Sequence, residues 1–272
     1  MKPNYYRSLW ISDTHLGGRN LQEQNLLDFL QATESEYLYL VGDIIDFWKL
    51  NRRWFWPETN NKIISQILRK AASGTKVYYI PGNHDKILNR FSGHTISNIM
   101  VTEQVVHRAA DGKKYLIMHG DQFDSVIKDK HRLAHFGALL YDIVLALNRR
   151  YNKVRTFIGR PYHSISAPMK RWVKHFFNYI GRFEHLLVAE AKKYQVDGLI
   201  CGHTHHPMSK QIEGIMYRNS GDWVESCTAV AEQPNGMMRI IEWPHGLSTE
   251  KLGVTDEIEK DRYRDRCLAP TN

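Results

Sequence analysis

Five short apolar runs in this 272-residue chain each end in residues that can bind metal ions. The residues that follow the runs are Asp13-Thr14-His15, Gly42-Asp43, Gly82-Asn83-His84-Asp85, His119-Gly120-Asp121 and Gly202-His203-Thr204-His205. Apolar runs of this length are typical of strands buried within a sheet. Loops that follow strands often present a protein's reactive groups. The pattern therefore predicts a single site, assembled where the five strands end.

Mixed carboxylate and imidazole side chains are ligands that Mn²⁺, Zn²⁺ and Fe²⁺ all accept. Asp13 and His15 are two residues apart, as are His203 and His205, so each pair can face the same side of an extended segment. Any one segment taken alone fits a turn, a helix cap or a hydrogen-bonded histidine. The five together indicate a two-metal centre that hydrolyses a phosphate ester or anhydride.

The rest of the chain alternates strand and helix patterns around one long interruption. Strands are expected near 7–12, 37–41, 76–80, 100–107, 115–118, 196–201, 210–219 and 236–243, and helices near 21–32 and 60–73. From 125 to 195 the pattern is helical, with one helix expected from Pro168 to about Ile180 and another over 184–194. We therefore expect an α/β catalytic domain formed by 1–124 and 196–243, a basic helical cap inserted at 125–195, and a tail at 244–272.

The net charge of +8 is concentrated in the interruption, since residues 125–182 contain 12 Lys and Arg and only two Asp. Aromatic and aliphatic residues are interleaved with these cations, a composition typical of helices that lie on anionic membranes or cover acyl chains. A solvated basic face over an ordinary helical core is the alternative interpretation. Nucleic-acid binding ranks last, because no nucleic-acid-binding motif accompanies the charge.

The remaining composition bears on the cellular compartment. No run of about 18 uncharged apolar residues occurs, so no membrane-spanning helix is expected, and residues 1–7 lack the pattern of a signal peptide. The three cysteines, Cys201, Cys227 and Cys267, are too few for a disulfide framework and fit a reducing compartment. These features predict a cytoplasmic protein.

In their order, the sequences D-x-H, G-D-x-x-D, G-N-H-D, H-G-D and G-H-T-H resemble the motifs of the calcineurin-like metallophosphoesterases. The resemblance extends from Asp13 to His205. It implies an α/β fold of two packed mixed β-sheets flanked by helices. It also implies two metal sites, the first formed by Asp13, His15 and His205, the second by Asn83, His119 and His203, with Asp43 bridging them.

The resemblance further implies a catalytic role for His84. A hydroxide that bridges the two metals would attack phosphorus, and His84 would either protonate the leaving oxygen or stabilise the charge of the transition state. Asp46, Asp85 and Asp121 are expected to orient histidine side chains. For Asp46, a helix N-cap is the alternative.

Within the family, the chain is most similar to the UDP-2,3-diacylglucosamine pyrophosphatases of lipid A synthesis and their uncharacterised relatives. The similarity lies in the chain length, the segment from Val41 to Trp48 and the long helical insertion before Gly202. It implies cleavage of a lipid-linked nucleotide sugar to UMP and a lipid phosphate, with Mn²⁺ as the expected metal, at the cytoplasmic face of the inner membrane. The expected partners are that substrate and, through the basic cap, an anionic membrane surface.

One position departs from the well-studied pyrophosphatases, which have Arg where this chain has His84. His can donate a proton near pH 7, whereas Arg effectively cannot. The alternative substrates are therefore another lipid-linked pyrophosphate, a phospholipid diester or a nucleotide anhydride, cleaved by a soluble or phospholipid-directed enzyme with the same two metals. A non-enzymatic scaffold is disfavoured, since all seven expected ligands are present.

Overall fold

The computed structural model describes residues 3–124 and 167–244, with side chains from residue 180 onward in the second range. These residues form twelve strands, four α-helices and two short 3₁₀ helices. In chain order they are β1 (Asn4–Ile11), α1 (Glu23–Ala32), β2 (Thr33–Val41), α2 (Phe47–Arg52), α3 (Glu58–Ala72), β3 (Lys76–Ile80), a 3₁₀ helix (Lys86–Phe91), β4 (Thr95–Ile96), β5 (Ile99–Val101), β6 (Gln104–Arg108), β7 (Lys114–Met118), a second 3₁₀ helix (Asp121–Phe123), α4 (Ala167–Lys193), β8 (Gly198–Cys201), β9 (Met208–Ile212), β10 (Ile215–Asn219), β11 (Thr228–Glu232) and β12 (Met238–Glu242).

The strands form two mixed sheets that pack against each other, as expected. The first sheet has the order β12-β11-β1-β2-β3-β5-β4, and β1, β2, β3 and β5 run parallel within it. The second has the order β6-β7-β8-β10-β9, with β7, β8 and β10 parallel. In both sheets the antiparallel pairings flank the group of parallel strands. Parallel strands bring their carboxyl ends, and the loops that follow, to one edge of a sheet.

Alternating side chains along the strands fill three apolar layers. In β1, Leu9 and Ile11 pack with buried residues of α1 and α3, whereas Trp10 faces the second sheet. Trp10 stacks on Tyr39 of β2 with ring centroids 5.3 Å apart. This period of two is what places one face of each strand against helices and the other between the sheets.

Helix α4 runs without interruption from Ala167 to Lys193, so the expected break between Ile180 and residue 184 is wrong. Gly181 weakens a helix by only about 1 kcal/mol relative to alanine. The buried side chains of Phe183 and Leu187 then anchor this turn on the outer face of the second sheet. This part of α4 thus packs in the core, although it falls within the proposed cap. Residues 125–166 of that cap and 245–272 of the tail lie outside the described residues, and both segments stay predictions.

Two stretches of the second half differ from the strand pattern. The strand expected at 210–219 is a hairpin of β9 and β10, turned by Glu213 and Gly214 with φ of 49° and 85°. Strand β11, with the sequence Thr-Ala-Val-Ala-Glu, was not expected because alanine has a low strand propensity. All five of its residues are buried, since it lies between β1 and β12.

A buried ionic network joins the two sheets at the end of β11. Glu232 accepts hydrogen bonds from Arg7 at 2.9 Å and the backbone N–H of Ala110 at 2.7 Å, and lies 2.9 Å from His107 Nε2. Tyr39 Oη lies 2.8 Å from His107 Nδ1, so a ring that donates from Nε2 satisfies both contacts. Burial raises the pKa of Glu232, but the hydrogen bonds outweigh it and the pKa lies below its usual value.

We expect Glu232→Gln to lower the free energy of unfolding at pH 7 by about 3 kcal/mol, because it leaves the partly buried guanidinium of Arg7 without its counter-charge. The folded-state pKa of Glu232 is depressed, so its carboxylate stabilises the fold above about pH 4.5, and that contribution is lost as the pH falls through the folded-state value. In urea unfolding, the difference in free energy of unfolding between wild type and Glu232→Gln should therefore be largest at pH 7 and should shrink below pH 4.5. Equal unfolding energies of the two proteins at pH 7 would contradict this prediction.

Candidate metal centre

The loops that follow β1, β2, β3, β7 and β8 meet at one edge of the sandwich. The backbone N–H of Asp13 donates to Gly42 O at 3.0 Å, and that of His15 donates to Asp43 O at 2.9 Å. Left-handed backbone, with φ between 51° and 71°, occurs at Asp13, His15, Asp43, His203 and His205. Such a conformation costs about 1–3 kcal/mol at a non-glycine residue and occurs both in turns, as at Glu213, and at functional sites. Five of the seven predicted ligands are held in this way.

The first cluster consists of Asp13, His15 and His205, whose ligand atoms all lie within 4.8 Å of one another. His205 Nε2 is 3.3 Å from Asp13 Oδ1 and 3.4 Å from His15 Nε2. The first sheet supplies Asp13 and His15, and the second supplies His205. One carboxylate and two imidazoles form a ligand set that fits a transition-metal ion.

The second cluster consists of Asp43, His119 and His203, again within 4.8 Å. His119 Nε2 lies 3.5 Å from Asp43 Oδ2, and the rings of His119 and His203 are 5.1 Å apart. Asn83 precedes His84, whose backbone N–H donates to Asp43 Oδ1 at 2.8 Å. The predicted neutral oxygen ligand, Asn83 Oδ1, is therefore carried by a loop that is bonded to this cluster.

Asp43 lies between the two clusters. Its Oδ2 is 3.5 Å from His119 Nε2 in the second cluster and 4.0 Å from His15 Nε2 in the first. Its other oxygen, Oδ1, accepts the backbone hydrogen bond from His84. The carboxylate of Asp43 therefore approaches imidazoles of both clusters.

Three buried ligand atoms lack a hydrogen-bond partner among the described residues. They are Asp13 Oδ1, Asn83 Oδ1 and His119 Nε2. Leaving a buried polar atom unpaired costs about 1–3 kcal/mol, so such atoms are rare in folded proteins. All three belong to the residues expected to bind metal, and divalent cations would satisfy them. The arrangement thus fits metal ions on the evidence of its own unpaired atoms.

The histidines of both clusters are oriented by acceptors on the far side of each ring. His15 Nδ1 is 3.2 Å from Asp46, and His119 Nδ1 is 3.0 Å from Val41 O. Asp222 lies 2.9 Å from His205 Nδ1, and Asp124 lies 2.7 Å from His203 Nε2. An acceptor on one ring nitrogen fixes the tautomer and raises the basicity of the other.

Asp222 and Asp124 were not anticipated from the sequence. Asp222 follows Gly221 just after β10, so the pattern of a strand, a glycine and an aspartate that marks Asp43 recurs there. That recurrence was the available signal. Burial raises the pKa of Asp222, but the hydrogen bond from His205 and the backbone N–H of Ser226 lower it to about 2. No sequence pattern of this kind precedes Asp124. Its contact with His203 depends on the course of the chain after β7.

Asp46 combines the two roles that the sequence left open. Its Oδ1 accepts the backbone N–H of Lys49 at 2.9 Å, which caps α2. The same carboxylate binds His84 Nδ1 at 2.9 Å and His15 Nδ1 at 3.2 Å. Burial opposes ionisation of Asp46, but these hydrogen bonds hold its pKa far below the usual value. An ionised Asp46 therefore orients one predicted ligand and the predicted catalytic histidine together.

Asp85 and Asp121 do not hydrogen-bond to any histidine among the described residues, so their expected role was wrong. Asp85 instead accepts the backbone N–H of Ile44 at 2.8 Å and of Gly82 at 2.6 Å, which ties the loop after β2 to the loop after β3. Burial and the nearby charge of Asp43 raise the pKa of Asp85. Asp121 lies at the start of the second 3₁₀ helix. Burial lowers the pKa of His119, but the charge of Asp43, with smaller contributions from Asp13 and Asp121, raises that pKa well above its usual value.

His84 stands beside the clusters with a defined orientation. Its Nδ1 is engaged by Asp46, and its Nε2 lies 3.9 Å from Asp43 Oδ2. The ring of Trp48 covers it at a centroid distance of 4.1 Å. About one fifth of the His84 side chain is exposed, so Nε2 is the nitrogen that can reach a substrate at the centre.

Two glycines leave room for the clustered side chains. A Cβ at Gly82 would collide with Asp43 Oδ1 and lie 2.6 Å from His119 Nε2. A Cβ at Gly202 would collide with Asp13 Oδ2 and lie 2.6 Å from Ser12 Oγ. Both are far shorter than a normal van der Waals contact, so the glycines of G-N-H-D and G-H-T-H are needed for close packing of the ligand loops.

Comparison with known proteins finds the same resemblance. Residues 6–207 match the family model described as calcineurin-like phosphoesterase. The UDP-2,3-diacylglucosamine hydrolase of Haemophilus influenzae (strain PittGG) is 28% identical over 240 residues, covering 85% of this chain and 94% of the relative. The protein of the same name from Histophilus somni (strain 129Pt) is 27% identical over 248 residues, covering 86% and 99%.

Among solved structures, the chain matches vacuolar protein sorting 29 from Cryptosporidium parvum. It has a TM-score of 0.43 and 16% identity, with 86% of this chain and 95% of that chain covered. A novel archaeal phosphodiesterase has a TM-score of 0.40 and 14% identity, with 86% and 98% covered.

Proposed function

Because the chain belongs to the calcineurin-like phosphoesterase family, we propose that it is a dinuclear-metal hydrolase that cleaves the pyrophosphate of a lipid-linked nucleotide sugar. That it is a metal-dependent phosphoesterase follows from the family and from its hydrolase relatives. The observation that best supports two metal ions is the position of Asp43, whose carboxylate approaches histidines of both clusters. In the proposed reaction, water adds to one phosphorus and a bridging P–O bond breaks, giving UMP and a lipid phosphate.

We propose that one ion is held by Asp13, His15 and His205, the other by Asn83, His119 and His203, and that Asp43 bridges them. Two divalent ions, when bound, supply Lewis acidity to phosphoryl oxygens and lower the pKa of water towards 7. We propose Mn²⁺ as the metal, and the mixed oxygen and nitrogen ligands also accept Zn²⁺ or Fe²⁺.

His84 acts through Nε2 in this proposal. Asp46 binds Nδ1, and Trp48 covers the ring, so the imidazole is held with Nε2 towards Asp43 at 3.9 Å. A proton held on Nε2 can pass to the leaving oxygen, or the imidazolium can stabilise charge on the phosphoryl group. Both roles require the same orientation, which makes Asp46 a positioning residue for His84.

The substrate class is proposed from the curated relatives. Two proteins named UDP-2,3-diacylglucosamine hydrolase match this chain over 94% and 99% of their own length. The runner-up is a phosphodiesterase or nucleotide pyrophosphatase that uses the same two-metal site. The observation that favours it is His84, which stands where the well-studied pyrophosphatases have Arg.

We also propose that the protein acts at the cytoplasmic face of an anionic membrane through the basic segment 125–182. Twelve Lys and Arg against two Asp support this location. None of the described helices combines the length and the apolar composition that a membrane-spanning segment requires.

The test is hydrolysis by the purified full chain, supplemented with Mn²⁺, of UDP-2,3-diacylglucosamine and, in parallel, of bis-p-nitrophenyl phosphate. We expect UMP release from the lipid substrate, and none after removal of metal with EDTA. Cleavage of the diester alone would replace the proposed substrate by that of the runner-up. No hydrolysis of either compound with any of the three metals would contradict the proposed function.

A further inference from the structure

An exposed surface beside the metal centre is both apolar and basic. It is formed by α2 with the loop to Trp56, and by the 3₁₀ helix Lys86–Phe91. Its exposed apolar side chains, with the exposed fraction of each, are Trp48 (45%), Trp54 (75%), Ile87 (53%) and Phe91 (45%). We call this surface the aromatic rim. Four large apolar side chains are thus exposed on two neighbouring segments, and groups of exposed apolar side chains often belong to interaction sites.

The two segments of the rim lie side by side at the mouth of the metal centre. The ring of Trp48, in α2, is 4.1 Å from that of His84, which precedes the 3₁₀ helix by two residues. Asp85, at the start of that helix, accepts the backbone N–H of Ile44 at 2.8 Å and of Ile45 at 3.3 Å. The loop that leads into α2 is thereby bonded to the start of the 3₁₀ helix.

The charges on the rim have one sign. Residues 47–56 and 86–91, which form the rim, contain five Lys and Arg and no Asp or Glu. All five cations are exposed, and four of them, Arg52, Arg53, Lys86 and Arg90, lie apart from Lys49, which pairs with buried Asp46 at 2.9 Å. A further cation, Arg19, lies over the Phe55 ring at 5.1 Å. Elsewhere among the described residues, many surface cations form salt bridges with acidic side chains, as in Lys62–Glu58 and Lys76–Glu36.

We propose that the aromatic rim rests on an anionic phospholipid surface. Tryptophan and phenylalanine partition into the membrane–water interface, while Arg and Lys pair with lipid phosphates. A second copy of the chain fits less well, because a symmetric contact would place cations against cations. The inference rests on the proposed function, since a rim at this position would bring a lipid-linked substrate from the membrane directly to His84.

The test measures co-sedimentation of the full chain with vesicles of phosphatidylcholine and phosphatidylglycerol at a ratio of about 3:1. The rim variant is Trp54→Ser/Phe91→Ser, and the matched control is Tyr5→Ser/Met237→Ser, which removes two exposed apolar side chains far from the rim in sequence. We expect the rim variant to bind at least about tenfold more weakly than wild type, and the control to bind like wild type. A charge variant, Arg53→Glu/Arg90→Glu, should weaken binding to these vesicles without affecting the weak binding to pure phosphatidylcholine.

Vesicle binding is measured without turnover, so failure of UMP release leaves this result unchanged. The proposal is overturned if wild type does not bind the anionic vesicles, or if the rim variants bind as wild type does. It is also overturned if sedimentation velocity shows a wild-type dimer that the rim variant abolishes, which would make the rim a contact between copies. Loss of UMP release from detergent-dispersed substrate with vesicle binding intact would instead make the rim an acyl-chain site.

Discussion

Asp43→Asn is expected to abolish turnover, lowering kcat by roughly a thousandfold or more, while the fold is retained. The side chain keeps its shape and can still accept the backbone hydrogen bond of His84, so the loop has no reason to unfold. What is lost is the negative charge between His119 at 3.5 Å and His15 at 4.0 Å. A neutral amide cannot serve as the anionic bridge between two cations. The measurement is kcat for UMP release, with metal content by mass spectrometry.

Asp111→Asn makes the same chemical change at an exposed position, paired with Lys113, and should leave kcat near the wild-type value. His119→Ala removes a proposed ligand and should likewise abolish turnover. Near-wild-type activity of Asp43→Asn or of His119→Ala would refute the metal assignment. Loss of the circular dichroism signal would instead show that the substitution acts on folding.

His84→Ala is expected to lower kcat by about 10²–10⁴-fold while metal content stays at about two ions per chain. His84 lies outside the proposed ligand set, and its Nδ1 is already engaged by Asp46. Its loss should therefore remove a group that acts on the phosphate and leave the ions in place. If His84 protonates the leaving oxygen, the loss should be smaller for p-nitrophenyl esters, whose leaving group needs no proton.

The matched control is His185→Ala, which removes an exposed histidine that pairs with Glu213. It should change neither kcat nor metal content. Loss of one ion from His84→Ala would make His84 a ligand and would contradict its assigned role. Equal losses for good and poor leaving groups would favour charge stabilisation over proton donation.

The fold was predictable from the sequence because local pattern and tertiary position agree over most of the chain. The runs that end at Ile11, Val41 and Ile80 are apolar on both faces, as buried parallel strands require, and the ligand residues follow them directly. Strand β11 was missed because alanine has a low strand propensity. Only the pairing of this segment with β1 and β12 explains why it forms a strand. The helix break near Gly181 was wrong because packing of Phe183 on the second sheet outweighs the local cost of glycine.

The site was predictable to the extent that its residues lie within short motifs. All seven expected ligands lie at one edge of the sandwich, and their role as ligands stays a proposal. The residues that orient them depend on contacts between distant segments, as in His203 with Asp124, 79 positions apart. Asp85 shows the converse case. Its position in G-N-H-D suggested a histidine partner, but its carboxylate accepts hydrogen bonds from the backbone N–H groups of Ile44 and Gly82 and from the Tyr79 hydroxyl.

Each of the two clusters draws its side chains from both sheets. Asp13 and His15 follow strand β1 of the first sheet and meet His205, which follows β8 of the second, while Asp43, after β2, meets His119, after β7. Ions bound there would cross-link the two halves of the sandwich, so separation of the sheets would dissolve both binding sites at once. The free energy of unfolding would then rise with the concentration of free metal, so the ions that support hydrolysis would also stabilise the fold.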